Sequence, residues 1–364
     1  MEIEDANSPP GSQPGPQRVG LVLSGGAARG FAHIGLLRVL ERAGIEGQVV
    51  AGTSMGAILG AFYANGYSAE EIYDLARNVS WRTILDFSFG SGLFKGVKLH
   101  AFLAAHLPAT FEELEKPLVV STTDVETGEE VFIYRGDLIT ALRASSCFPG
   151  AFEPVVFNGR TLADGGIVNN IPVNAAAFVH ADFTIAGDAT MARRASLAGT
   201  PEAGGWWERV TGGLRLERRN PMVQMMLRAT DITGSILTEL QYNLHPADLR
   251  VQYPMPHLNI EAFWAFEEIV AIGEWSALQV FVEAGLLPGD VLEGLEPPAA
   301  IQALTAGRPD AAAFRLLPAR PQQTVRGGEQ GGREDGAKDD RPPQAALPKP
   351  GRRGAGRTKL TPGE

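Results

Sequence analysis

The stretch Val49-Val50-Ala51-Gly52-Thr53-Ser54-Met55-Gly56-Ala57-Ile58-Leu59-Gly60-Ala61-Phe62-Tyr63 decides the fold. Val49 to Ala51 reads as a short buried strand, and the small apolar residues from Ala57 to Tyr63 as a closely packed helix that stops near Asn65-Gly66. Between them lies Gly52-x-Ser54-x-Gly56. A sharp strand-to-helix turn of this kind holds its serine in strained backbone geometry with the hydroxyl exposed, and the flanking glycines let neighbouring segments approach. The helix N-terminus that follows favours negative charge on reacting atoms. On the five-residue pattern alone, an ordinary glycine-rich turn fits as well as a catalytic one.

Upstream, Val19 to Leu23 is another apolar run, stopped by Ser24-Gly25-Gly26. Phe31, Ile34, Leu37 and Leu40 then recur at helical spacing, with Gly44 as a C-terminal stop. Strand, helix, strand, helix within about 50 residues implies a parallel sheet with right-handed crossovers. Downstream the spacing predicts a helix over 69–78, strands over 117–122 and 130–134, and a helix over 137–145. It continues with a helix over 172–179, a strand over 181–187, a helix over 221–242, a strand over 250–253 and a last helix over 263–284. The class expected is α/β, a three-layer α/β/α sandwich with a mainly parallel central sheet.

The loop Gly25-Gly26-Ala27-Ala28-Arg29-Gly30 follows one strand and opens a helix. Such a loop aims backbone N–H groups at an oxygen that becomes negative during acyl transfer, and the same geometry can cradle phosphate. The Gly-Lys-Ser/Thr ending of a P-loop is absent and the dinucleotide spacing is not met, so an oxyanion hole is favoured. Arg29 suits either loop orientation or a headgroup phosphate, with a salt bridge as its plainer role.

The serine needs a base. None of the six histidines, at 33, 100, 106, 180, 245 and 257, sits in a glycine-bounded loop after a late strand. His33, beside the glycine loop, reads as a structural hydrogen-bonding residue. A carboxylate held close to the hydroxyl in a partly desolvated site can serve instead. Asp164, in Leu162-Ala163-Asp164-Gly165-Gly166-Ile167-Val168-Asn169-Asn170-Ile171-Pro172, is the candidate. Alone, an aspartate before two glycines is usually a turn. Beside a serine elbow and a glycine donor loop, the balance reverses.

These three blocks, in this order, resemble the patatin-like phospholipases, over about Val19 to Asp188. Phe31-Ala32-His33-Ile34-Gly35 and the Asp-Gly-Gly-Ile-Val-Asn-Asn-Ile-Pro block are most similar to the bacterial branch related to neuropathy target esterase. The resemblance implies a Ser-Asp dyad without histidine, with Ser54 as nucleophile and Asp164 as base. It implies an oxyanion hole from the main chain around Gly25, Gly26 and Ala27, an acyl-enzyme, and neither metal nor other cofactor. The family's stricter loop pattern has glycine where this chain has Ala27, a change that costs little unless the backbone there needs positive φ.

The 364 residues are 44% hydrophobic, with a formal net charge of −10 that argues against nucleic acid as a partner. Residues 1–17 and 291–364 are dominated by Pro, Gly and charge and read as disordered, which leaves a hydrolase domain over 18–290. Lys349, Arg352, Arg353, Arg357 and Lys359 suit anionic headgroups, but composition favours a solvated tail. A single cysteine, Cys147, in an apolar stretch is expected to be a buried inert thiol, in a reducing, cytoplasmic setting. No signal peptide and no run of about 18 apolar residues is evident, so peripheral contact is the most that is expected with a membrane. Aromatic residues over 81–94 suit a lid or acyl channel as well as core packing, and Trp206-Trp207 a membrane interface or an internal pin. The expected partner is a lipid or ester substrate. Two rivals remain: a soluble carboxylesterase or thioesterase, and a catalytically silent lipid- or protein-binding module.

Overall fold

Alternation along the strands sets the layers. In β1 (Val19–Leu23), β2 (Val49–Thr53), β3 (Leu118–Asp124) and β7 (Phe183–Asp188), successive apolar residues enter two different cores. Leu21, Leu23, Val50, Leu118, Val120 and Ile185 face the larger one, while Val22, Ala51, Val119 and Ala186 face the smaller. A strand buried on both faces needs a helical layer over each. The larger core is closed by α1 (Ala32–Ala43), α2 (Met55–Ala64), α3 (Ala69–Asn78), α6 (Leu138–Ser145) and α9 (Phe266–Glu283). The smaller is closed by α7 (Val173–Phe178) and by Tyr242 of α8 (Pro221–Leu244). The computed structural model describes residues 18–84, 96–148, 153–190, 221–258 and 262–305. All lie in one compact unit, Met1–Ala319; the second, Arg320–Glu364, is outside them, as are the N-terminal segment, the basic cluster and Trp206-Trp207.

With β4 (Glu130–Ile133), β5 (Val155–Phe157), β6 (Arg160–Asp164) and β8 (Leu249–Gln252), the sheet runs β5-β6-β3-β2-β1-β7-β8, and β4 pairs with β3. Every pairing from β3 to β8 is parallel, as the crossover pattern implies, whereas β4 and the β5–β6 hairpin are antiparallel additions. The fold class is therefore the expected sandwich, with an antiparallel corner that the alternation of strands and helices does not announce. Three further helices, α4 (Trp81–Ile84), α5 (Val97–His106) and α10 (Ala299–Thr305), complete the described α-helices.

Register brings distant residues together at that corner. Ser121 of β3 pairs with Thr53 on one edge and Phe132 on the other, and Thr122 pairs with Asp164 and Val131. A strand has two edges, so β2 and β6 follow one another along the edge of β3 opposite β4. The residue after Thr53 is Ser54. The handover therefore sets Ser54 beside Asp164, although 110 positions separate them in the chain.

Candidate active site

The elbow forms because its residues can approach where others cannot. A Cβ at Gly52 would lie 2.7 Å from the Ala57 backbone, and one at Gly56 would lie 2.2 Å from the Leu23 carbonyl oxygen. The turn between them puts Ser54 at φ 53°, ψ −124°, a backbone conformation that costs a non-glycine residue on the order of 1–3 kcal/mol. The surroundings hold it there. The Ser54 N–H donates to the Ser145 hydroxyl at 2.8 Å, which donates in turn to the Ser121 carbonyl at 2.7 Å. Ser54 itself is half-buried, at the C-terminal end of a parallel strand, where open α/β sheets place their ligands.

Asp164 ends β6 and caps the short turn Gly165–Ile167, only 4% exposed. Its carboxylate accepts the Gly166 N–H at 2.8 Å, and the Ser54 side chain is near enough to favour its charged form. Burial pushes its carboxyl up to about 6, against the Gly166 N–H and the Ser54 side chain, which pull it down. The structure thus brings together the two residues singled out as nucleophile and base.

The glycine loop closes the third side. The Gly25 N–H donates to the Asn170 carbonyl at 3.2 Å, and the Asn170 side-chain amide donates to the Gly25 carbonyl at 3.2 Å. Gly25 is thus a rivet between the loop and the Asp164 block and does not offer its N–H to a substrate. Gly26 and Ala27 keep theirs unpaired among the described residues. Ala27 sits at φ 46°, so the position does require the left-handed region that glycine adopts without strain. Arg29 is buried in the turn Ala27–Phe31 that follows.

Histidine takes no part in this arrangement. His33 is fully buried; its Nε2 lies 2.9 Å from the Ser24 carbonyl, to which it must donate, so Nδ1 accepts from the Tyr253 hydroxyl at 3.1 Å. Burial lowers its pKa to about 4, which keeps the ring neutral, the structural role expected of it. Cys147 is buried and its thiol is pushed up to about 12 by desolvation, an inert residue whose carbonyl accepts the Asp164 N–H at 3.1 Å. Trp81 packs on Phe31 and stacks on Phe263, so the described start of the aromatic stretch is core; residues 85–94 lie outside the described residues.

Four residues of the site escape a local reading of the sequence: Ser145, Asn169, Asn170 and Glu130. The Asn169 carbonyl accepts the Thr53 hydroxyl at 3.3 Å, tying the Asp164 block to the strand that carries Ser54. Its side-chain amide donates to Glu130 at 2.9 Å.

Residues 21–177 match the family model of the patatin-like phospholipases. The chain carries a patatin-like phospholipase domain. The chain is similar to an uncharacterised NTE family protein of Mycobacterium tuberculosis, 40% identical over 174 residues, which are 46% of this chain and 48% of that protein. It is also similar to Lysophospholipase NTE1 of Candida albicans, 31% identical over 172 residues, 43% of this chain and 12% of that protein. The chain thus spans about half the length of its mycobacterial relative, at 48%. The crystal structure of VipD from Legionella pneumophila matches with a TM-score of 0.47 and 16% identity, over 74% of this chain and 67% of that one. The patatin-like domain contains all three blocks described above. Among the described residues no helix is long and apolar enough to cross a membrane.

Proposed function

We propose that this protein hydrolyses carboxylic ester bonds of phospholipids, lysophospholipids or related lipids through a Ser54–Asp164 dyad. The observation that carries the reading is the strand register that sets a buried carboxylate, Asp164, beside a serine held at a strained elbow, with two backbone donors of the glycine loop left unpaired among the described residues. Asp164, ionised above about pH 6, takes the Ser54 proton as Oγ attacks the ester carbonyl carbon. The carbonyl oxygen becomes negative and is met by the Gly26 and Ala27 N–H groups, whose donors are fixed before the charge arrives. The C–O bond breaks, and Asp164 returns the proton to the departing alcohol or lysolipid. Water, deprotonated by Asp164, then attacks the acyl carbon and releases the fatty acid with Ser54 restored. The lipid class follows the NTE relatives rather than any group in the site. Peripheral contact with a lipid surface belongs to the same proposal.

The test is covalent labelling of Ser54 by a fluorophosphonate, expected in the wild type and lost in Ser54→Ala. It is followed by a comparison of short-chain esters with phospholipid and lysophospholipid vesicles. Hydrolysis of both by the wild type and of neither by Asp164→Asn is the expected result. Vesicles left intact while short esters turn over would replace the lipid reading with a plain carboxylesterase. No labelling at all would remove the dyad.

A further inference from the structure

Glu130 lies on β4, across β3 from both dyad strands, and among the described residues its carboxylate hydrogen-bonds to neither Ser54 nor Asp164. Its two carboxylate oxygens nonetheless hold three donors from three elements. Oε1 accepts the Asn169 amide at 2.9 Å and the Ser121 hydroxyl at 3.3 Å, and Oε2 accepts the Asn174 amide at 2.9 Å. The Asn169 amide also donates to the Asn174 side-chain oxygen at 2.8 Å, which closes a ring of Glu130, Asn169 and Asn174. Ser121 is the β3 residue at which β2 gives way to β6, and its carbonyl anchors the Ser145 hydroxyl behind Ser54. Asn169 holds Thr53 through its carbonyl, and its neighbour Asn170 holds the glycine loop.

We infer that Glu130 is a positioning residue: an acceptor-only clamp that fixes Asn169 and Ser121, and through them the distance between the Asp164 turn, the Ser54 elbow and the glycine loop. The inference rests on the dyad reading above. An ionised carboxylate accepts at every lone pair and donates nowhere, so it turns both asparagine amides toward itself. A glutamine of the same shape must point its N–H pair at one of the donors that the carboxylate had accepted. One asparagine then flips or withdraws, and the ring opens beside the dyad. Misplacement of reacting groups by about 1 Å costs on the order of a hundredfold in rate.

The test uses the full chain with Glu130→Gln and Glu130→Asp, assayed on a short-chain ester, with kcat expressed per site titrated by fluorophosphonate. Expected are a kcat at least ~10-fold below wild type in Glu130→Gln with KM within about twofold, and a smaller loss in Glu130→Asp, which keeps the acceptor-only group. Wild-type kcat per titrated site in Glu130→Gln would overturn the inference. So would equal losses in the two variants, or a loss explained entirely by fewer titratable sites, since each would make Glu130 a matter of folding or shape. A wild type that neither labels nor turns over is a different failure, of the dyad reading itself, and Ser54→Ala and Asp164→Asn measured alongside identify it.

Discussion

The hydroxyl of Ser145, on α6, accepts the backbone N–H of Ser54 at 2.8 Å. Because that hydroxyl also donates to the Ser121 carbonyl at 2.7 Å, one buried group joins the elbow to the strand that receives Asp164. Ser145→Ala strands a donor and an acceptor where no water replaces them, since Ser145 is 0% exposed. The expected cost is about 1–3 kcal/mol of stability. It also frees the elbow to leave φ 53°, so kcat falls more than KM changes. Urea unfolding at constant slope, with kinetics on a short-chain ester, checks both. Full stability with full kcat would show that the elbow needs no such anchor.

The carboxyl of Asp164 carries a pH dependence with a definite sign. Burial holds it at about 6 when folded, against 3.8 for the free group, and only the ionised form can take the Ser54 proton. kcat/KM should therefore fall as pH drops through about 6. Stability runs the other way. The folded chain binds this proton more tightly than the unfolded one, so the contribution is fully present below about 4 and lost as pH rises through about 6. Two pH units correspond to roughly 3 kcal/mol. Asp164→Asn removes the buried charge, so it should be inactive yet melt above the wild type at pH 8, with the gap closing at pH 4. The same gap at both pH values would show that burial of the charge is not what sets this group.

Ala27 bears a β-carbon at φ 46°. An L-residue pays roughly 1–2 kcal/mol in the left-handed region, and glycine gives back about 0.5–1 through its freedom in the unfolded chain. Ala27→Gly should therefore raise unfolding free energy by about 0.5–1 kcal/mol and leave kcat unchanged, because the donated N–H stays where it is. A thermal melt paired with ester kinetics is enough. A drop in stability would mean that packing of the methyl outweighs its strain.

How much of this could be read from the chain depends on where each signal lies. The elbow is legible because strand, glycines and serine are contiguous. The reading of Ala27 had to wait, since composition does not give φ. The β5–β6 hairpin had a local signal in Phe157-Asn158-Gly159-Arg160, where Asn158 and Gly159 at φ 46° and 79° form the tight turn that Asn-Gly favours. Glu130, Ser145 and Asn170 have none, because each acts on a partner 39, 91 or 145 positions away and no periodicity encodes such a pairing. The assignment of Gly25 as a donor missed for the same reason. Its N–H is taken by Asn170, and only the fold brings that carbonyl within reach.

Gly56 and Gly60 lie one turn apart on α2, and the difference between them tests why the elbow contains glycine. A Cβ at Gly56 would meet the Leu23 and Ser24 carbonyl oxygens at 2.2 and 2.5 Å. Those are backbone atoms at the end of β1, and they move only if the glycine loop that follows them moves as well. A Cβ at Gly60 would meet the Val50 Cγ1 at 2.9 Å, a side-chain atom that can yield, with its next neighbours at 3.7 Å. Alanine in a helix interior is worth about 1 kcal/mol over glycine, which offsets the tighter packing at Gly60. Gly60→Ala should therefore stay near wild type in stability and kcat. Gly56→Ala should lose about 1–3 kcal/mol and most of its activity, because overpacking there pushes the donor loop off the nucleophile. If the two variants behave alike, the close approach of α2 to β1 does not position the loop, and the glycine of the elbow answers only to the turn.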